Sequence, residues 1–165
     1  MSADTPLAAR VLEAAKARGV MIVTAESCTG GMVAAALTDI AGSSAVVERG
    51  FVTYSNDAKT QMLGVAPETL ATHGAVSEAV AREMASGALA RSAAQLAVAI
   101  TGIAGPGGSE HKPEGRVCFA IATADHPARA ETVEFGALGR AQVRAAARDH
   151  ALAMLLDTLA PQTER

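Results

Sequence analysis

Thr24-Ala25-Glu26-Ser27-Cys28-Thr29-Gly30-Gly31 is the stretch on which the reading of this chain turns. The apolar run Val20-Met21-Ile22-Val23 precedes it, and an Ala-rich pattern from Met32 to Leu37 follows. The pattern predicts a short buried strand from Val20 to Thr24 and a helix from about Gly30 to Asp39, with hydroxyl and glycine residues at the joint. A helix N-terminus presents unpaired N–H groups and a partial positive charge. Anions and developing oxyanions are favoured there, and Ser27 and Thr29 place hydroxyls in that field.

Outward from this joint, helices and strands alternate and the strands then bunch. Thr5-Pro6 predicts a helix start, with a hydroxyl cap and then proline, and Gly19 predicts its end. Val46 to Tyr54 reads as a strand in which Gly50 marks a bulge or a close backbone approach. Asn56 to Leu63 reads as a short helix, and Pro67 opens another turn after Gly64. Ser77 is the predicted cap of a long helix, Leu96 to Thr101 a strand, and Gly102 to Gly108 a glycine-rich loop. Arg116 to Thr123 and Ala130 to Phe135 read as two strands divided by Asp125-His126-Pro127, and Arg140 to Leu159 is a long last helix. The order predicts one domain, residues 1–165, built as a three-layer α/β/α sandwich on a mixed, mostly parallel sheet of about five strands. In such sheets ligands gather at the carboxyl ends of strands.

With 165 residues, half of them hydrophobic, the chain can close a core unaided. A formal charge of −3 argues against a general nucleic-acid binder. No apolar run approaches the ~18–20 residues of a membrane span, and Met1-Ser2-Ala3-Asp4-Thr5-Pro6 lacks the regions of a signal peptide. Cys28 and Cys118 alone cannot frame a disulfide fold, so a reduced, cytoplasmic setting is expected. No His, Cys and Asp set has metal-ligand spacing.

Of 14 basic residues only three, Lys16, Lys59 and Lys112, are lysines. Lysine, unlike arginine, can lose its proton in a suitable site. In Tyr54-Ser55-Asn56-Asp57-Ala58-Lys59, the only tyrosine stands near one of them. Two readings stay open. Ser27 is an N-cap or turn serine and Lys59 a solvated cation behind an Asn56 cap. Alternatively, a desolvated Lys59 takes the proton of a nucleophilic Ser27 while the Tyr54 phenol relays or positions it. His73, His111, His126 and His150 fall in loops or on a helix face, and there is no Gly-x-Ser-x-Gly elbow. Cys28 competes as nucleophile, against a reading as a small buried residue. Thr101 and the Gly102–Gly108 loop form a second wall, where Gly102, Gly105 and Gly107 let the backbone approach a ligand. The loop has no Gly-Lys-Ser/Thr ending, which argues against ATP. Arg140 and Arg144, early in the last helix, could reach a phosphate or carboxylate.

The stretches Ala25–Gly31, Tyr54–Lys59, Gly74-Ala75-Val76-Ser77 and Thr101–Gly108, in that order, resemble the CinA C-terminal domain family from about Pro6 to Leu159. The resemblance implies a nicotinamide-nucleotide amidohydrolase, in which nicotinamide mononucleotide and water give nicotinate mononucleotide and ammonia. It implies Ser27 as nucleophile, Lys59 as general base and Tyr54 as their partner, with no cofactor and a homodimer. The N–H groups of Cys28, Thr29, Gly30 and Gly31 are then candidates for the oxyanion hole. Asn56, Thr101, Gly102, Gly105, Gly107, Arg140 and Arg144 are candidates for holding the nucleotide. The other function class is a non-catalytic nucleotide-binding or competence- and damage-related interaction module of the same fold.

Overall fold

The computed structural model describes residues 5–161. The amino-terminal four residues, on which the targeting reading partly rests, lie outside them. A single sheet runs in the order β2-β1-β3-β4-β5, from β1 (Ile22–Glu26), β2 (Val47–Val52), β3 (Leu96–Gly102), β4 (Arg116–Thr123) and β5 (His126–Glu134). β1 pairs parallel with β2 and with β3, whereas the β3–β4 and β4–β5 ladders are antiparallel. The sheet is therefore mixed, with its ladders evenly divided, and only β4 opposes the other strands.

Side chains alternate across this sheet and create two unlike cores. Ile22, Leu96, Val98, Ile100, Val117, Phe119 and Ile121 face one way, onto α1 (Leu7–Arg18), α2 (Met32–Thr38) and α6 (Arg140–Leu159). Ala25, Ala97, Ala99, Cys118, Ala120 and Ala122 face the other way. There they meet α5 (Glu78–Ala90) and the end of α3 (Asn56–Leu63), with α4 (Pro67–His73) beside them. Large side chains on one face and small ones on the other bring α5 close to the strands. A Cβ at Gly87 of α5 would overlap the Leu63 carbonyl, so α3 rides directly on α5.

Several boundaries differ from the sequence reading. β1 begins and ends two residues later than expected, because α1 closes through Gly19 (φ 63°) and the Val20 N–H still bonds to the Ala15 carbonyl. α1 starts at Leu7 with Pro6 in the cap position rather than Thr5. α2 starts at Met32, since Gly30 and Gly31 have φ of 57° and 104° and cannot be helical. The α3 cap is Ser55, whose hydroxyl accepts from the Ala58 N–H at 3.0 Å, and Asn56 is the first helical residue. β5 starts at His126, so Asp125-His126-Pro127 is a hairpin corner rather than a separate loop. Gly50 is the close approach expected of it: a Cβ there would lie 2.7 Å from Thr24 Oγ1. Ser77 caps α5 as read.

The connection from β1 leads to β2 on one side, and the connection from β2 returns past β1 to β3 on the other. The carboxyl ends of these three parallel strands lie side by side at one end of the sheet, where Glu26 leads to Ser27, Val52 to Tyr54, and β3 ends at Gly102.

Gly87→Ala tests the α3–α5 seat. Alanine is the better helix former by about 1 kcal/mol, yet overpacking against an immovable carbonyl costs about 1–3 kcal/mol. The thermal midpoint is expected to fall; an unchanged or higher midpoint would show that α3 does not pack there.

Candidate active site

Ser27 is the residue where β1 hands over to the loop before α2. Its N–H donates to the Ile100 carbonyl of β3 at 2.9 Å, which pins it between the two central strands. By the alternation of β1, Ala25 and Ser27 point to the α3–α5 side, whereas Glu26 and Cys28 point to the α1–α2–α6 side. Lys59 comes from α3 on the first of these sides. Its Nζ lies 3.0 Å from Ser27 Oγ, 3.1 Å from the Thr53 carbonyl oxygen and 3.3 Å from the Tyr54 carbonyl oxygen.

Lys59 is 1% exposed and has no carboxylate in contact with it among the described residues. Burial therefore lowers its pKa from the ordinary 10.5, opposed by the more distant charges of Cys28 and Glu110. In the neutral form the geometry is complementary. Two N–H groups can donate to the Thr53 and Tyr54 carbonyls, and the lone pair is left to accept the Ser27 hydroxyl proton.

The other half of the corner is organised by Glu26, a fully buried carboxylate that sequence reasoning quoted but gave no role. Its Oε1 accepts from Thr29 Oγ1 at 2.6 Å and from the Val33 N–H at 2.9 Å, and its Oε2 from the Ala34 N–H at 3.0 Å. The positive end of α2 is thus met from inside the protein rather than offered whole to a ligand. No capping signal marks this role in the sequence, because Glu26-x-x-Thr29 is the reverse order of a capping box and α2 starts only at Met32. The Gly30 N–H is also engaged, by the Ser27 carbonyl at 3.0 Å. Among the described residues, the N–H groups of Cys28, Thr29 and Gly31 donate to no backbone or side-chain oxygen.

Cys28 is 5% exposed, and its thiol is pushed up to about 12, first by burial and then by the nearby Glu26 charge. It packs in the core of the α1–α2–α6 side, as a small apolar residue does.

The remaining predicted residues are placed less uniformly. The Tyr54 phenol is exposed and accepts from Arg140 Nη2 at 2.8 Å; what Tyr54 gives to Lys59 is its carbonyl. Arg140 Nη1 also donates to the Gly105 carbonyl at 2.7 Å, so this guanidinium spans the mouth between the two loop walls. Arg144 donates from Nε to the Cys28 carbonyl at 3.0 Å and from Nη2 to the Thr29 carbonyl at 3.3 Å. Thr101 spends its hydroxyl proton on the Ala75 carbonyl at 2.9 Å. A side chain at Gly102 would collide with Val117, and the Gly107 N–H donates to Glu114 Oε1 at 2.7 Å. Glu114 and Lys112 were not foreseen: Glu114 Oε2 accepts from the Gly139 N–H, and Lys112 Nζ donates to the carbonyls of His73 and Val76. They tie the glycine loop to the start of α6 and to the turn before α5. Among the described residues no histidine bonds to Ser27, and His150 instead packs on Phe119 with its Nε2 3.2 Å from Glu131. No group of three or more His, Cys, Asp or Glu among them could hold a metal, and no helix is long and apolar enough to cross a membrane.

The arrangement can deprotonate a serine, present backbone N–H groups to an oxyanion and grip an anionic tail with Arg140. Over 119 residues the chain is 66% identical to the nicotinamide-nucleotide amidohydrolase PncC of Escherichia coli strain K12, covering 72% of each chain. It is 55% identical over 120 residues to the protein of the same name from Enterobacter agglomerans, covering 72% of this chain and 73% of that protein. Among solved structures, the competence/damage inducible protein CihA from Agrobacterium tumefaciens superimposes with a TM-score of 0.89 at 52% identity, over 95% of this chain and 98% of that one. The family model of the CinA C-terminal domain matches residues 4–159, and the chain belongs to that family.

Proposed function

We propose that the chain is an amidase that deamidates nicotinamide mononucleotide to nicotinate mononucleotide and ammonia through a Ser27 acyl-enzyme. The observation that carries the reading is the buried amine of Lys59, 3.0 Å from the Ser27 hydroxyl. The PncC name borne by relatives as similar as 66% supplies the substrate.

Ser27 Oγ attacks the carboxamide carbon as Lys59 Nζ takes the hydroxyl proton. The carbonyl oxygen becomes an oxyanion facing the N–H groups of Cys28 and Thr29. Lys59 returns the proton to the amide nitrogen, the C–N bond breaks and ammonia leaves, with nicotinoyl ester on Ser27. Water then attacks the ester carbon, Lys59 accepts its proton and gives it back to Ser27 Oγ, and nicotinate mononucleotide, its ribose phosphate carried through the acyl-enzyme unchanged, is released. Tyr54 serves through its carbonyl, which orients the amine, and through its phenol, which steadies Arg140. Arg140 is the group placed to meet the ribose phosphate.

Ammonia release from nicotinamide mononucleotide tests the reading. Ser27→Ala and Lys59→Ala are each expected to lower kcat by roughly 10⁴-fold or more. No turnover by wild type at high enzyme concentration would sink the deamidase reading, and turnover surviving Ser27→Ala would move the nucleophile to Cys28.

The pH dependence follows from the lowered Lys59 pKa. The working form is the neutral amine, so kcat/KM rises with pH through a midpoint below 10.5, and Lys59→Arg abolishes this limb instead of shifting it. Stability has the same sign. Between the folded and unfolded pKa values the unfolded chain binds the extra proton, so the Lys59 contribution to stability rises with pH across that window. A rising limb that survives unchanged in Lys59→Arg would remove Lys59 as base.

A further inference from the structure

The geometry points to Arg144 as a positioning residue: it aims the Thr29 N–H at the oxyanion site by holding the carbonyls of Cys28 and Thr29, and does not itself bind the substrate's phosphate. The inference rests on the reading of Ser27 as nucleophile.

Thr29 is fully buried, and nearly every polar group it has is engaged. Its hydroxyl donates to Glu26 at 2.6 Å, its carbonyl accepts from Arg144 Nη2 at 3.3 Å and from the Met32 N–H at 3.0 Å. Only its N–H is left without an acceptor among the described residues. Buried N–H groups without a partner are rare in folded proteins, and one beside a nucleophile is a donor held ready. Its direction is fixed by planarity. The Thr29 N–H shares a trans peptide with the Cys28 carbonyl and points opposite to it. That carbonyl points to Arg144 Nε, 3.0 Å away on α6. The N–H therefore points away from α6, toward the α3 side, where Ser27 and Lys59 lie. Gly30, next in the chain, takes φ of 57°, a backbone conformation that side chains rarely adopt, and lies against Arg144 Nη2. Nε and Nη2 of Arg144 are committed to the Cys28 and Thr29 carbonyls in a partly buried position, whereas Arg140, also engaged by two nitrogens, is exposed at the mouth where a phosphate can approach it. Lysine cannot reproduce this fork, because it lacks two fixed and divergent N–H vectors.

The experiment compares Arg144→Lys and Arg144→Ala with wild type, on nicotinamide mononucleotide and on nicotinamide riboside, which lacks the phosphate, with thermal melting alongside. On both substrates kcat is expected to fall by about 10- to 100-fold while KM for the mononucleotide stays within about threefold. A large KM rise on the mononucleotide with kcat retained, and no loss on the riboside, would make Arg144 a phosphate ligand and overturn the inference. If Arg144→Ala fails to fold, Arg144→Lys carries the comparison. A readout independent of the substrate is labelling by a fluorophosphonate, which bonds phosphorus to Ser27 Oγ, expels fluoride and sets its P=O oxygen in the oxyanion site. Labelling of Arg144→Lys is expected to slow by about 10-fold or more, and equal rates would overturn the inference. A wild type that labels but does not deamidate the mononucleotide would sink the substrate reading alone. One that does neither would remove Ser27 as nucleophile, and both readings with it.

Discussion

A lysine amine held out of water without a carboxylate in contact with it is a costly feature, and much of the fold around the site serves to keep it there. Burying an ammonium is unfavourable unless it is paired, and the cheaper outcome is a lowered pKa. Lys59 is surrounded by oxygen dipoles instead of charges: the Ser27 hydroxyl and the carbonyls of Thr53 and Tyr54. These carbonyls belong to the turn that joins β2 to α3, and α3 is fixed at both ends, by the Ser55 cap and by Gly64 at φ 72°. The absence of a side chain at Gly87 lets the end of α3 sit on α5. A few small residues far from the chemistry thus set the depth of the amine.

The partner constraint is on the other side of the chain. Glu26 answers the N-terminus of α2 from within, with three hydrogen bonds to Thr29, Val33 and Ala34. A helix dipole that might have been the oxyanion stabiliser is largely neutralised by this carboxylate. What is left for an oxyanion is local: individual N–H groups of the loop between strand and helix. Their direction depends on the peptide planes, and these are gripped by Arg144 from α6. Precision replaces net positive charge at this corner, which suits a site that binds a neutral carboxamide and releases a carboxylate.

Much of this was legible in the sequence, for stated reasons. Lys59 stood out because arginine is the ordinary surface cation here, and Gly50 because a glycine inside a strand signals close approach. Ser77 and Gly19 follow local capping chemistry, which needs no tertiary contact. The layered mixed sheet followed from the order of the elements. Glu26 was not legible as a buried residue: a carboxylate ending a strand is usually solvated, and only the folding back of α2 gives it donors. Glu114 and Lys112 act on partners 7 to 39 residues away, through loop paths that no periodicity reports. The Tyr54 phenol was assigned to Lys59 by proximity in sequence, but beyond the end of β2 its ring swings to Arg140 at the mouth, and only its main chain reaches the amine.

The choice between Ser27 and Cys28 shows how the fold decides chemistry that residue types leave open. A thiol is intrinsically the better nucleophile, and the two are neighbours. Yet they stand on a chain with the two-residue alternation of a strand, so only one can face α3. Ser27 takes that side and meets the amine. Cys28 turns into the packed side, where burial and the charge of Glu26 both hold it protonated, up to about 12. In the proposed mechanism, the carboxylate that holds the loop before α2 thus also keeps the Cys28 thiol protonated, and a shift of one residue in β1 would turn Cys28 toward the amine and Ser27 away from it.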